Sequence, residues 1–215
     1  WFINNYPDND YLTFLFIPLS ALIIGIILSL FIERIFLRKV YMRDEMVTVL
    51  VTYGLFLIFE DAMKLIFGTS SYLPYQPRML LGNINVLDIP YVIYDLAIIV
   101  VALLVWGLFY FTIKLTKIGK LLLTVINDRE ISSALGINVN KFFVLTFAFG
   151  CLLGCLGGAI SAPMISVVPG IGVEVIVLAF AVVVTGGLGS VSGAAIGALL
   201  IGFSRTIAIF YAPQL

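Results

Sequence analysis

Several stretches of this chain stay apolar for twenty residues or more, and a soluble fold has no place to put them. A hydrocarbon layer about 30 Å thick is crossed by about 20 helical residues at about 1.5 Å of rise each. Residues 12–32, 46–67, 91–113 and 142–162 all have that length. A further tract, 173–211, is nearly twice as long, carries only Glu174 and Arg205 as charges, and is broken in its middle by Gly186-Gly187-Leu188-Gly189-Ser190. Its first part, 174–185, amounts to about 18 Å of helix, short for a crossing, so the tract reads as a pair of segments. Backbone amides in hydrocarbon must be satisfied internally, which leaves helices as the fitting element for runs of this length. The predicted fold class is therefore all-α: a polytopic membrane helical bundle of about six segments, the last two a Gly-broken helix pair.

Composition excludes several function classes. Hydrophobic residues make up 62% and charged residues 11% of the chain, far from the balance of an ordinary globular domain. No basic patch suited to nucleic acid is visible, and the formal net charge is zero. Histidine is absent, and the two cysteines, Cys151 and Cys155, lie inside an apolar run, so neither a histidine-built metal site nor a disulfide scaffold is expected. The sequence holds no nucleophile–base–orienter set, no glycine-rich phosphate loop followed by Lys-Ser/Thr and no zinc-ligand spacing. No catalytic and no metal-binding residues are assigned, and the chain is not expected to hydrolyse ATP itself. Because it opens on Trp1 and stops at Leu215 just after an apolar segment, residues 1–215 read as a fragment of one transmembrane domain with further spans at both ends.

The basic residues give an orientation. Segment 33–45 holds Arg34, Arg38, Lys39 and Arg43, and segment 114–141 holds Lys114, Lys117, Lys120, Arg129 and Lys141, together nine of the twelve Lys and Arg. Two spans separate the segments, so they share a side, and the positive-inside rule makes that side the cytoplasm. Segment 68–90, with Arg78 as its one basic residue, is then external.

Within 114–141, Asn127 is placed to cap a helix and Glu130, three positions on, to return a bond to the cap's own amide. Gly136 suits the left-handed residue that ends such a helix. The expected product is about two turns over 128–135. Ile131, Ala134 and Leu135 would form a small apolar face, and Asp128, Arg129 and Glu130 would supply charge. So short a helix is marginal alone in water; either the rest of the chain or a partner must hold it, unless it is merely an ordered turn.

Two other patterns stand out. Gly150, Gly154 and Gly158 recur at four-residue spacing, beside Cys151, Cys155 and Ala159, and Gly193 and Gly197 repeat the device. Such faces let another backbone approach closely, within the chain or at a subunit interface. The break at Thr185, Gly186, Gly187, Gly189, Ser190 and Gly193 reads either as backbone lining a solute path or as a tight hairpin turn. Glu60 and Asp61, inside the second span, are spaced for a local ion pair with Lys64; a path-lining role is the alternative. Arg205 is long enough to snorkel to the outer surface.

Several stretches together resemble the permease subunits of the branched-chain amino acid ABC transporter family. They are Glu33-Arg34, Thr52-Tyr53-Gly54-Leu55, Thr116-Lys117-Ile118-Gly119, Asn127-Asp128-Arg129-Glu130, Ala134-Leu135-Gly136-Ile137-Asn138, and 182–190 with Gly193. Thr185 stands where the family commonly has isoleucine. The resemblance implies a multi-pass subunit of a prokaryotic inner membrane that imports branched-chain amino acids or related small amides. It also implies its partners: a second permease subunit, identical or similar, two cytoplasmic ABC ATPase subunits that hold ATP-Mg, and an external solute-binding protein. No cofactor is expected in this chain. Asn127, Asp128, Arg129, Glu130, Ile131, Ala134, Leu135, Gly136, Ile137 and Asn138 would form the coupling segment that seats in the ATPase. Readings left beside this one are an ion-coupled secondary transporter or channel using Glu60 and Asp61, a structural membrane subunit with no pathway, and a sugar or nucleoside permease of the wider superfamily.

Overall fold

The computed structural model describes residues 10–40, 45–71, 81–86, 89–165, 167–187 and 189–211. Eight helices carry the description: α1 Asp10–Ile32, α2 Glu45–Phe67, α3 Ile93–Leu115, α4 Lys117–Asn127, α5 Arg129–Ala134, α6 Val139–Ser161, α7 Ile171–Gly186 and α8 Val191–Tyr211. A π-helical turn, Glu33–Leu37, and a short helical turn, Arg38–Val40, extend α1. The chain divides into two compact units, Trp1–Ala102 with Ser132–Pro169, and Leu103–Ile131 with Gly170–Leu215.

Four described stretches are long and apolar enough to cross a membrane: Phe16–Val40, Ile93–Leu115, Val139–Ser161 and Val191–Tyr211. The other two expected segments also form helices. α2 runs 23 residues but carries Glu60, Asp61 and Lys64, and α7 is a shorter apolar helix of 16 residues, about 24 Å long. Leu50, Leu65, Leu108 and Leu115 are all largely exposed. Apolar side chains turned outward on this scale match a lipid solvent rather than water.

In the first unit α1 packs along α6. Its buried positions, Ala21, Gly25, Ser29, Glu33 and Leu37, recur at every fourth residue. On a 3.6-residue helix such a row drifts about 40° per step. The wider π-helical turn takes up part of that drift, and it falls where Glu33 and Leu37 continue the row. Gly25 marks the closest approach, since a Cβ there would lie 3.2 Å from Leu152 Cδ2 and 3.4 Å from Cys155 Sγ. Tyr94, at the start of α3, is buried and donates its hydroxyl to the Ile160 carbonyl at 2.7 Å. Just before α3, β1 Asn83–Val86 pairs antiparallel with β2 Ile89–Val92, with Asn83 opposite Val92. This hairpin occupies part of a segment that the sequence alone reads as external loop. The ion pairs expected in α2 are present: Lys64 lies 2.8 Å from Glu60 and 3.7 Å from Asp61.

In the second unit α7 and α8 form an antiparallel helical hairpin, and the last turns of α3 lead into α4.

Candidate functional site

The expected cytoplasmic segment begins where α3 runs out. Lys114 donates from Nζ to Tyr110 Oη at 2.5 Å, and the ammonium lies 4.5 Å from the centre of that ring. Thr116 then leaves the helix in an extended conformation and caps the next one, its hydroxyl oxygen accepting from the Gly119 amide at 3.0 Å. A Cβ on Gly119 would land on the backbone of Ile113. A straight helix would separate those two residues by about 9 Å along its axis, so the chain turns sharply here and only glycine fits the corner. The 11-residue helix α4 follows. Sequence reading had no helix there, although Thr116 followed three residues later by Gly119, and polar Lys117, Lys120, Thr124 and Asn127 spaced along one face, are a capped amphipathic pattern.

α4 corrects the expected cap. Asn127 is the last residue of α4, while Asp128 is extended, with φ −146° and ψ 101°. Asp128 Oδ1 accepts from the Ile131 amide at 2.9 Å. The cap lies one residue later than expected because Asn127 is still helical. The helix that follows is α5, Arg129–Ala134, shorter than the expected 128–135, with Leu135 already in the turn.

The far end of α5 forms as expected. Gly136 has φ +79°, its amide bonds to the Ser133 carbonyl at 3.0 Å, and the Ile137 amide bonds to the Ser132 carbonyl at 3.0 Å. That pair of bonds is a Schellman stop, which needs a left-handed residue. Ser132 is fully buried, whereas Ile131, Ala134 and Leu135 are exposed. Asn138 caps α6, its Oδ1 accepting from the Lys141 amide at 3.2 Å. The segment thus carries a cap at its start and a Schellman stop at its end, and three of its apolar side chains are exposed.

The glycine break forms a compact corner. α7 ends at Gly186, Gly187 and Gly189 take φ +85° and +83°, and Ser190 caps α8 by accepting from the Gly193 amide at 3.0 Å. Thr185 turns its hydroxyl back to the Ala181 carbonyl at 2.8 Å. Gly186 and Gly193 face each other so closely that a Cβ on Gly193 would fall on the Gly186 carbonyl oxygen. One helical turn along, a Cβ on Gly197 would lie 2.7 Å from the Val182 carbonyl oxygen and 2.9 Å from Thr185 Oγ1. Eight residues further on each helix, Arg205 is ion-paired with Glu174. The three contacts keep one register: four residues along α7 match four along α8, then eight match eight. Arg205, long enough to snorkel to the outer surface, is half exposed and pairs across this seam.

The glycine row of α6 behaves differently from that of α8. A Cβ on Gly150, Gly154 or Gly158 would meet nothing within 4 Å, so among the described residues that face is open. The neighbouring flank, through Leu152 and Cys155, makes the contact with α1. Gly25, which sequence reading passed over, supplies the missing side chain on the other helix. Among the described residues no group of three His, Cys, Asp or Glu could hold a metal ion.

Long apolar helices, an outward-facing apolar surface and a doubly capped segment between two of the helices define a multi-pass helical membrane protein. The chain belongs to the family described as the permease component of the branched-chain amino acid transport system, whose profile matches residues 2–214. It is 29% identical over 182 residues to the high-affinity branched-chain amino acid transport system permease protein BraD of Pseudomonas aeruginosa, a match covering 81% of this chain and 58% of that protein. To the LivH permease of the corresponding system in Escherichia coli K12 it is 24% identical over 196 residues, 89% of this chain and 64% of LivH. A third relative, the ribose import permease protein RbsC of Haemophilus influenzae, is 31% identical over 165 residues, 74% of this chain and 49% of RbsC. The chain thus spans about three fifths of the length of its branched-chain relatives. No solved structure matches it significantly.

Proposed function

We propose that this chain is the permease subunit of an ATP-driven importer of branched-chain amino acids or related small amides. In this reading it works with a second permease subunit, two cytoplasmic ABC ATPase subunits and an external solute-binding protein. Its part is to convert closure of the ATPases into movement of the spans. The observation that carries the proposal is the geometry of 127–138 in a chain of this family: a short helix held by Asp128 at one end and Gly136 at the other, with Ile131, Ala134 and Leu135 exposed. So short a helix is marginal alone in water, and the bonds at its two ends are what order it. Its local bonds make it stiff enough to act as a lever, and its exposed apolar face is a surface for an ATPase groove.

ATPase closure would displace α5 as a body and shift the spans between outward-open and inward-open states. A nucleotide biases that equilibrium only through contacts that differ between the two states. The hairpin corner at Thr185, Gly187, Gly189 and Ser190 remains our choice for backbone beside the solute path. Gly186 and Gly193 have the additional task of letting α7 and α8 touch.

Two variants test the coupling role. Gly136→Val forces a β-branched residue into the left-handed region, at a cost above about 1 kcal/mol. Ala134→Glu places a charge on the docking face. With the complete transporter in proteoliposomes, both are expected to insert normally yet lose ATP-dependent uptake at least tenfold. Uptake at the wild-type rate in both variants refutes the coupling role. The likeness to RbsC supports a second reading, a sugar permease. Retention of radiolabelled leucine or of ribose by the cognate external binding protein separates the two.

A further inference from the structure

The helix α4 has no task in the coupling scheme, and its surface has an unusual make-up. Ile118 is 58% exposed, Ile126 55% and Leu121 40%, while Gly119 and Val125 between them are buried. On the adjoining stripe Lys117 and Lys120 are exposed, and Lys114 precedes them at the same three-residue interval at the end of α3. Among the described residues no carboxylate pairs with Lys117 or Lys120. Exposed aliphatic side chains beside unpaired lysines suit neither water nor the middle of a bilayer.

Position supplies the rest. α3 is 23 residues of apolar helix, long enough to cross a membrane, so its last turn, with exposed Leu115, lies at the depth where hydrocarbon gives way to headgroups. The Gly119 corner then turns α4 away from the axis of α3, because its first turn presses on Ile113. An amphipathic helix that leaves a span at this depth, with aliphatic residues on one side and lysines on the other, has the character of an interfacial helix. Three exposed lysines within seven residues, at the junction of the span and α4, complement a phosphate-bearing, negatively charged headgroup, as juxtamembrane basic clusters do.

We propose that α4 lies in the plane of the bilayer surface and that Lys114, Lys117 and Lys120 form a binding site for the headgroup of an anionic phospholipid. Ile118, Leu121 and Ile126 sink into the acyl boundary and hold the helix there. Thr116 and Gly119 set the angle at which α4 meets the surface. The aromatic ring of Tyr110 beneath the Lys114 ammonium steadies that charge at the rim.

The test uses the complete transporter in nanodiscs of mixed phosphatidylglycerol and phosphatidylcholine, with the lipids kept through delipidation read by native mass spectrometry. Wild type is expected to retain phosphatidylglycerol preferentially, and each Lys→Gln change to weaken that preference about fivefold. The triple variant with Lys→Arg at all three positions should keep it. As a second reading with all lysines intact, a nitroxide at Ile118→Cys, in a background carrying Cys151→Ala and Cys155→Ala, is expected to relax with oxygen rather than with an aqueous nickel chelate. Equal retention of the two lipids by wild type, retention unchanged in the Lys→Gln variants, or a label that relaxes with the aqueous chelate each overturn the proposal. A loss of ATPase association that is the same in both lipids would give the lysines to a protein partner instead. Lipid retention is measured without transport, so its failure is distinct from failure of the coupling role.

Discussion

Glycine does different work at different places in this chain, and the difference predicts how each tolerates a side chain. Gly193 has no room, because its Cβ would fall on the Gly186 carbonyl oxygen. Gly193→Leu is therefore expected to prevent the α7–α8 hairpin from closing, seen as loss of folded protein on extraction into detergent. Gly150 has nothing within 4 Å of the same atom. Gly150→Ala should leave the thermal midpoint of an isolated subunit unchanged and should even favour the helix by somewhat under about 1 kcal/mol. A fall in the midpoint of Gly150→Ala measured only in the assembled transporter would show that this face meets another subunit. Both glycines sit in similar sequence patterns, and the pattern alone does not tell them apart. What decides is a neighbour on another element, which lies outside any local window.

At the scale of elements, the spans were the most legible part of the sequence. Their expected bounds differ from the observed helices by a few residues, because length and apolarity are properties of the segment itself. The Schellman end at Gly136 was legible for the same reason, since a left-handed position close to a capped helix is a local demand. The N-terminal cap lies at Asp128, one residue beyond the expected Asn127. Asn127 and Asp128 are both good caps, and the choice between them rests on α4 reaching through Asn127, a helix that sequence reading did not assign. Asp128→Ala is accordingly expected to destabilise the start of α5 by about 1 kcal/mol, with coupling lost more than folding, whereas Asn127→Ala should do little; hydrogen exchange at the Ile131 amide reports the difference. Between α7 and α8, the ion pair of Glu174 and Arg205 joins residues 31 apart, and no local rule could have matched them. Neutralising one partner removes the ion pair that joins the two helices, so Glu174→Gln or Arg205→Gln should each lower stability modestly. The exchange Glu174→Arg with Arg205→Glu should recover most of it, with a coupling energy of up to about 1 kcal/mol in a double-mutant cycle.

For the whole molecule, sidedness ties the separate features together. The basic segments 33–45 and 114–141 are expected to react with impermeant amine reagents only from the cytoplasmic face. Lys117 and Lys141 are the residues to monitor by mass spectrometry, in spheroplasts and in inverted vesicles. Modification of either in intact spheroplasts would reverse the topology, and α5 could not then meet a cytoplasmic ATPase. The chain covers about three fifths of the length of its branched-chain relatives, so complementation of a transport defect is a test for the complete permease.

The matched register of α7 and α8 bears on how the protein is made as well as how it works. α7 is short and has an acid in its first turn, and α8, long and apolar enough to cross, carries an unneutralised guanidinium until that acid is beside it. A nascent chain halted after the first of them holds half of a zipper. The two should pass from the insertion machinery into lipid as a single closed object, its glycine seam already shut.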